Sequence, residues 1–203
     1  MTIAAEVAPA AYRGYVPRPL RPQIAGGIYH VTSRGNRGQT IYGDLTDRAF
    51  WFGLCSQTVF ESGWLCHAYC QMTNHFHLLV ETPEANISDG MRSLNSEHAQ
   101  WFNWRYGYRG HLFQGRFHSV LVEDEDHFLE LSRYVVLNPV RAGLCARADD
   151  WPWSSYAATA GSVACPDFLT VSRVLSQFSF DTNKALASYR VFVAKGLLEQ
   201  GRN

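Results

Sequence analysis

Two histidines separated by a single residue, His75 and His77, lie in a segment that is otherwise apolar. In an extended strand the side chains alternate between faces, so both imidazoles are expected on one face, about 7 Å apart, with Phe76 on the other. Neutral imidazole is the commonest metal-binding side chain, and a divalent ion could join the two rings if a third ligand came from elsewhere. The spacing therefore indicates a metal site, although a half-exposed histidine beside a buried one would give the same pattern.

A second group of residues lies on a predicted amphipathic helix, whose apolar positions are Phe128, Leu131, Val135 and Leu137. Pro139 is expected to end this helix, because the residue before a proline is driven out of the helical region. Tyr134 and Asn138 are four residues apart, which places them on one face of a helix. A phenol hydroxyl beside an amide oxygen could supply a nucleophile toward phosphorus and a ligand for a hard metal ion.

Together the two motifs resemble the HUH single-tyrosine transposases and, within them, the REP-associated tyrosine transposases. The similarity runs from about Gly26 to Tyr156 and includes the segments 27–36, 71–81, 110–117, 134–144 and 151–156. The resemblance implies a divalent Mg²⁺ or Mn²⁺ held by His75, His77 and Asn138, and Tyr134 as the catalytic nucleophile. Asn138 stands where the insertion-sequence relatives carry a glutamine.

The activity that this resemblance implies is cleavage and transfer of single-stranded DNA through a 5′-phosphotyrosine intermediate, with hairpin DNA as the recognised partner and a homodimer as the assembly. Whether Tyr134 serves its own chain or a partner's stays open. Two other classes of protein fit the same residues. One is a non-catalytic nucleic-acid-binding module descended from such an enzyme, and the other is a phosphoester hydrolase that uses water and does not need Tyr134.

Two glycine-containing segments supply the residues expected to bind DNA, namely Arg34, Asn36, Arg37, Tyr108, Arg109 and Arg116. Glycine lets the backbone approach phosphate closely, arginine forks match phosphate oxygens, and an aromatic ring provides a stacking surface for a base. The alternative is that the first segment is a surface turn with solvated arginines.

The net charge of the chain does not indicate nucleic-acid binding, since 18 Lys and Arg balance 18 Asp and Glu. Five cysteines, without a signal segment or an apolar run near 20 residues, predict a reduced, cytoplasmic protein with no membrane partner. Cys66 and Cys70 are expected on one strand face, where they form either a structural zinc site or, by default, two buried apolar-like side chains.

The periodicity predicts an α+β, ferredoxin-like sandwich with the order β-α-β-β-α-β, an antiparallel sheet and extra C-terminal helices. The first helix is expected to start at Asp44 or Thr46, to end near Ser62 and to bury Phe50, Leu54 and Phe60. The second, from Asp89 to about Tyr106, is expected to bury Met91, Leu94, His98, Trp101 and Phe102, with His98 as a packing residue. The acidic run 123–126 is expected to begin the tyrosine helix, although its carboxylates could instead bind metal.

The predicted division is an irregular arm over 1–26, the transposase-like domain over 27–156 and a helical tail over 157–203.

Overall fold

The computed structural model describes residues 23–198, and the predicted arm lies almost entirely outside this range. Four strands and two of the helices follow the predicted β-α-β-β-α-β order. The strands are β1 (Gly27–Arg34), β2 (Leu65–Gln71), β3 (His75–Thr82) and β4 (His118–Leu121). The helices are α1 (Leu45–Glu61), α2 (Ile87–Tyr106), α3 (Glu125–Arg141), α4 (Tyr156–Thr159), α5 (Ser172–Ser176) and α6 (Thr182–Leu198).

The sheet is antiparallel throughout, with the spatial order β2-β3-β1-β4, which confirms the predicted fold class. The central pair is β1 and β3, joined from Gly27 opposite Thr82 to Arg34 opposite His75. One face of the sheet, with Tyr29, Val31 and Phe76, packs under α1 and α2. The other face packs under α3, which is covered in turn by α6. Each face therefore has its own apolar core.

α3 covers only part of its face of the sheet, because it packs on β2 and β3. On the same face His30 and Thr32 of β1 are half-buried, while His118 and Val120 of β4 are exposed. A strip of open sheet therefore runs beside α3.

Capping explains where α1 and α3 begin. Asp44 accepts hydrogen bonds from the backbone N–H groups of Thr46 and Asp47, and Asp124 accepts one from that of His127. A side-chain oxygen at this position satisfies N–H groups that have no partner inside the helix. Capping at Asp124 is the role expected for the acidic run before α3.

α3 does not end at Pro139, contrary to the prediction, but continues to Arg141. Proline has no N–H to donate to the carbonyl of Val135. The side-chain amide of Asn138 compensates, since its Nδ2 donates to the Tyr134 carbonyl at 2.9 Å and to the Val135 carbonyl at 3.5 Å. Burial of Val135 and Leu137 against the sheet then keeps this turn helical.

Three of the predicted helical core positions differ from the prediction. Phe60 is 87% exposed, because the face of α1 that meets the sheet carries Trp51, Cys55 and Val59 instead. Phe50 and Trp101 are only partly buried, and their rings stack with centroids 4.2 Å apart.

Cys66 and Cys70 lie on opposite faces of the sheet, so the prediction that they share a face was wrong. The pairing of β2 with β3 shifts between Cys66 and Ala68, and such a bulge reverses the side-chain alternation beyond it. Cys66 consequently packs under α1 and α2, while Cys70 packs under α3. This excludes a structural zinc site shared by the two thiols.

The predicted C-terminal helices are present and pack on α3. The Arg133 guanidinium lies 4.5 Å from the Phe192 ring of α6, and a Cβ at Gly196 would press on Arg133 and Leu137. Whether 27–156 forms a separate unit stays a prediction. Within residues 23–198, no helix combines the length and apolar character needed to cross a membrane.

Replacing Phe76 with alanine should lower the free energy of unfolding by about 3–5 kcal/mol, because the ring is fully buried against Trp51 and its loss leaves a cavity. Phe60→Ala should change it by less than about 0.5 kcal/mol, as expected for an exposed site. Urea unfolding followed by tryptophan fluorescence measures both. Equal losses would show that Phe60 is buried after all.

Candidate active site

The pairing of β1 with β3 places both histidines on the face that α3 covers. Thr32 is opposite His77 and Arg34 is opposite His75, and the two imidazole rings are 4.8 Å apart with 74° between their planes. Phe76 points to the other core. The predicted common face of the two histidines is therefore present.

Hydrogen bonds to Nδ1 orient both rings. Asn74 Oδ1 accepts from His75 Nδ1 at 2.7 Å, and His77 Nδ1 lies 2.9 Å from Nε2 of His30. His77 Nε2 is buried and has no hydrogen-bond partner among residues 23–198. With Nδ1 occupied on each ring, Nε2 is the nitrogen left for a ligand, which is the arrangement that metal-binding histidines adopt.

Burial keeps these imidazoles neutral. It lowers the pKa of His75 to about 4, with a further contribution from the nearby Arg34 cation. Burial also lowers the pKa of His30 to about 4 and holds that of His77 well below its ordinary value. A neutral imidazole has a lone pair to give to a metal ion, whereas an imidazolium does not.

Tyr134 reaches the histidines of its own chain. Its ring lies edge-on to His77 and His30, with centroids 5.8 and 5.6 Å away, and the side chain is 37% exposed. The phenol therefore borders both the candidate metal site and the open strip of sheet. A nucleophile placed there can reach a substrate that enters from solvent.

Asn138 lies one turn beyond Tyr134 and is nearly buried. Its Nδ2 donates hydrogen bonds to backbone carbonyls of α3, so Oδ1 is the atom of this amide that could coordinate a metal. Among residues 23–198, no three His, Cys, Asp or Glu side chains converge as a metal-binding group. A metal at His75 and His77 would therefore need another oxygen ligand.

The two predicted DNA-binding segments meet beside His75. Gln114 N–H donates to the Arg34 carbonyl, and Asn36 N–H donates to that of Leu112. The first segment is also tied to the β2–β3 turn, because Asn74 Nδ2 donates to the Gly38 carbonyl at 2.9 Å. Asn74 thus holds both the basic loop and the His75 ring.

Most of the predicted DNA contacts are exposed around this junction, and only Asn36 is half-buried. Arg37 has a left-handed backbone, with φ 53°, which is uncommon for a residue with a side chain. Tyr108 is exposed and stacks on Tyr106. The structure thus places Arg34 opposite His75, whereas Tyr108 stacks at the end of α2 and Arg116 lies in a cleft beside α2.

Three residues near the site were not assigned by the sequence: His30, Asn74 and Arg141. His30 is on the same face of β1 as Thr32, but the sequence around His30 does not show that β3 lies beside β1. Asn74 is adjacent to His75, which was the available signal. Arg141 follows Pro139, where the helix was expected to have ended.

The four-stranded antiparallel sheet, with His75 and His77 on one face and the tyrosine helix packed over it, is the arrangement that the resemblance to the single-tyrosine HUH class implies. The family described as "Transposase IS200 like" matches residues 25–138, more than half of the chain, and the protein belongs to this family.

Two known proteins are similar over most of the chain. A Haemophilus influenzae protein named "Putative REP-associated tyrosine transposase" is 30% identical over 147 residues, which cover 64% of this chain and 80% of that protein. The solved structure of a REP-associated tyrosine transposase bound to a REP hairpin matches with a TM-score of 0.62 and 19% identity. That match covers 77% of this chain and 94% of the other, and it shows the common fold.

In the metal-free protein, the imidazole of His75 should titrate with a pKa of about 4. Since the unfolded state takes up a proton near pH 6.5, this group should stabilise the fold fully above that pH, and its contribution should fall as the pH drops from about 6.5 to 4. NMR titration of the ring protons, assigned with His75→Gln, measures the pKa. A midpoint above 6 would contradict the neutral state.

Proposed function

We propose that this transposase cuts and rejoins single-stranded DNA next to a hairpin, with Tyr134 as the nucleophile. The observation that carries the proposal is the contact of the Tyr134 ring with His77, which shares a strand face with His75 and whose Nε2, like that of His75, is left for a ligand. A hairpin as the DNA partner is supported by the similar transposase that was solved with a REP hairpin.

His75 and His77 would hold a divalent ion through Nε2, with Asn138 Oδ1 as the third ligand. The donor set of two imidazoles and an amide oxygen suits an ion such as Mn²⁺ or Mg²⁺. The buried Nε2 of His77, which has no partner in the described part of the chain, fits this role. When bound, the ion polarises the scissile phosphate. With Nε2 used by a metal ion, His77 Nδ1 would donate a hydrogen bond to His30 Nε2, and His30 would orient the ring.

Cleavage exchanges one ester bond for another. The Tyr134 oxygen attacks the scissile phosphorus, the bond from phosphorus to the 3′ oxygen breaks, and that oxygen leaves as a 3′-hydroxyl after taking up a proton. The phenol proton passes to solvent through the open side of the site. Because the 5′-phosphotyrosine keeps the ester bond, a 3′-hydroxyl of another strand can reverse the reaction and release Tyr134.

The open strip of sheet beside α3 provides a path for the DNA strand to reach Tyr134. The two loops that carry the predicted DNA-binding residues provide cations for its phosphates. Arg34, Arg37, Arg109 and Arg116 would contact the backbone, Asn36 a phosphate or base edge, and Tyr108 a stacked base. A homodimer stays a prediction, since one chain already supplies the tyrosine and both histidines.

Tyr134→Phe should abolish the covalent adduct while leaving hairpin binding unchanged, because only the attacking oxygen is removed. Wild type is incubated with Mn²⁺ and hairpin oligonucleotides from the flanks of the gene, labelled at the 3′ end, and the products are resolved on a denaturing gel. Tyr156→Phe removes the hydroxyl of a buried tyrosine elsewhere and should still form the shifted band.

Three outcomes would decide against this mechanism. An adduct in Tyr134→Phe would mean that another residue attacks. Cleavage by wild type without any adduct would point to a water-dependent hydrolase. Tight hairpin binding without cleavage would identify a binding module that has lost its chemistry.

His75→Ala and His77→Ala should each lower Mn²⁺ affinity, by about 10-fold or more, and abolish cleavage, because each removes one ligand nitrogen. Calorimetric titration of the metal-free protein measures binding without reference to activity, and EDTA should stop cleavage by wild type. His111→Ala, in an exposed loop, is the matched control and should bind Mn²⁺ normally. Normal binding by the double variant His75→Ala/His77→Ala would rule out this site.

Removing one phosphate-binding arginine should weaken hairpin binding and reduce the slope of log K against log salt by roughly one unit. We expect this for Arg34→Gln, Arg37→Gln, Arg109→Gln and Arg116→Gln, measured by fluorescence anisotropy from 50 to 300 mM salt. Arg147→Gln, which removes an exposed arginine paired with Asp149, is the control. Unchanged slopes in all four variants would place the DNA elsewhere.

A further inference from the structure

Arg141 lies in the last turn of α3, two turns beyond Tyr134 and on the same side of the helix. Its guanidinium carbon is 5.0 Å from the centre of the Tyr134 ring. The Nε atom is buried and has no hydrogen-bond partner within residues 23–198. A cation therefore stands beside the proposed nucleophile with hydrogen-bonding capacity unused.

The neighbouring cation on α3 is used differently. Arg133 donates to Glu130 at 2.6 Å and lies over the Phe192 ring, so it ties α3 to α6. Glu130 is thereby engaged, and no ion pair joins it or another described carboxylate to Arg141. Arg133 has a structural role, and Arg141 is left for a ligand.

The environment of Arg141 is costly for a cation without an anion. Burial lowers the pKa of its guanidinium, although arginine remains charged, and a partly buried donor without a partner loses hydration that nothing replaces. The Tyr134 ring and the negative end of the helix offset part of this cost. An oxyanion arriving at Tyr134 would supply the missing partner.

We infer that Arg141 binds the scissile phosphate as a catalytic residue. This assignment rests on the proposed function. The guanidinium donates hydrogen bonds to a non-bridging oxygen of the phosphate that Tyr134 attacks, and it stabilises the charge on that oxygen in the transition state. No proton or electron is exchanged with Arg141. The site would thus act on the phosphate from two sides, with the histidine pair on one and Arg141 on the other.

The course of α3 makes this role feasible. If the helix ended at Pro139, Arg141 would leave the face that carries Tyr134. The side chain of Asn138 and the burial of this turn together support the helix across the proline, so Tyr134 and Arg141 stand on one continuous helix.

The test uses a substrate in which one non-bridging oxygen of the scissile phosphate is replaced by a methyl group, which removes its charge. On normal DNA, Arg141→Met should form the covalent adduct about 10²-fold more slowly than wild type, the typical loss when one oxyanion-stabilising donor is removed. On the better-reacting isomer of the methylphosphonate substrate, the same variant should approach the wild-type rate to within about 10-fold. Methionine keeps an unbranched apolar stem against the Tyr134 ring.

Matched variants separate this role from a packing role. Tyr134→Phe should remain inactive on both substrates, because neutral phosphorus does not replace the missing nucleophile. Arg92→Met removes an exposed arginine from α2, on the opposite side of the sheet, and should resemble wild type on both. Arg141→Lys, which retains a charge without the guanidinium fork, should recover part of the loss on normal DNA.

The results distinguish a failure of the role of Arg141 from a failure of the proposed function. An equal loss for Arg141→Met on phosphate and methylphosphonate, or no loss on either, would overturn the role of Arg141 while leaving Tyr134 as nucleophile. Absence of an adduct in wild type on normal DNA would overturn the proposed function itself, and the role of Arg141 with it.

Discussion

At the centre of the sheet, β1 and β3 pair from Gly27 opposite Thr82 to Arg34 opposite His75. This register places His30 beside His77 and both metal-site candidates under α3. Because side chains alternate along a strand, a slip of one residue would turn the histidines into the core under α1 and α2 and bring Phe76 out of it. Complete burial of Phe76 opposes such a slip. The apolar packing of one face thus fixes the chemistry of the other.

The tyrosine helix is the second element whose position matters. α3 packs on β2 and β3 rather than across the whole sheet, which brings Tyr134 to the histidines and leaves the neighbouring strip open. α6 holds it from outside through Phe192 and Arg133. The C-terminal part of the chain therefore takes part in positioning Tyr134, the proposed nucleophile, although it lies beyond the residues that the family match covers.

The local distribution of charge, rather than the net charge of the chain, suits the site to its proposed ligands. The chain has no net charge, yet exposed arginines stand on the two loops that meet beside His75. Burial keeps the imidazoles neutral, and the nearby Arg34 lowers the pKa of His75 further. The same arginine that would attract DNA thereby favours the form of His75 that can bind a metal. Asn74 joins these parts, since it bonds both the basic loop and the His75 ring.

The sequence by itself determined the features that depend on near neighbours along the chain: the common face of His75 and His77, the capped helices and the order of the elements. Periodicity and capping act over a few residues, so they can be read without knowing what packs where. Only the tertiary structure decided that a bulge separates Cys66 from Cys70, because pairing with β3 creates it. The hydrogen bond between His77 and His30 likewise joins residues 47 positions apart. Arg141 reaches Tyr134 because packing and the Asn138 side chain carry the helix past a proline, a balance between local preference and burial that the sequence alone does not resolve.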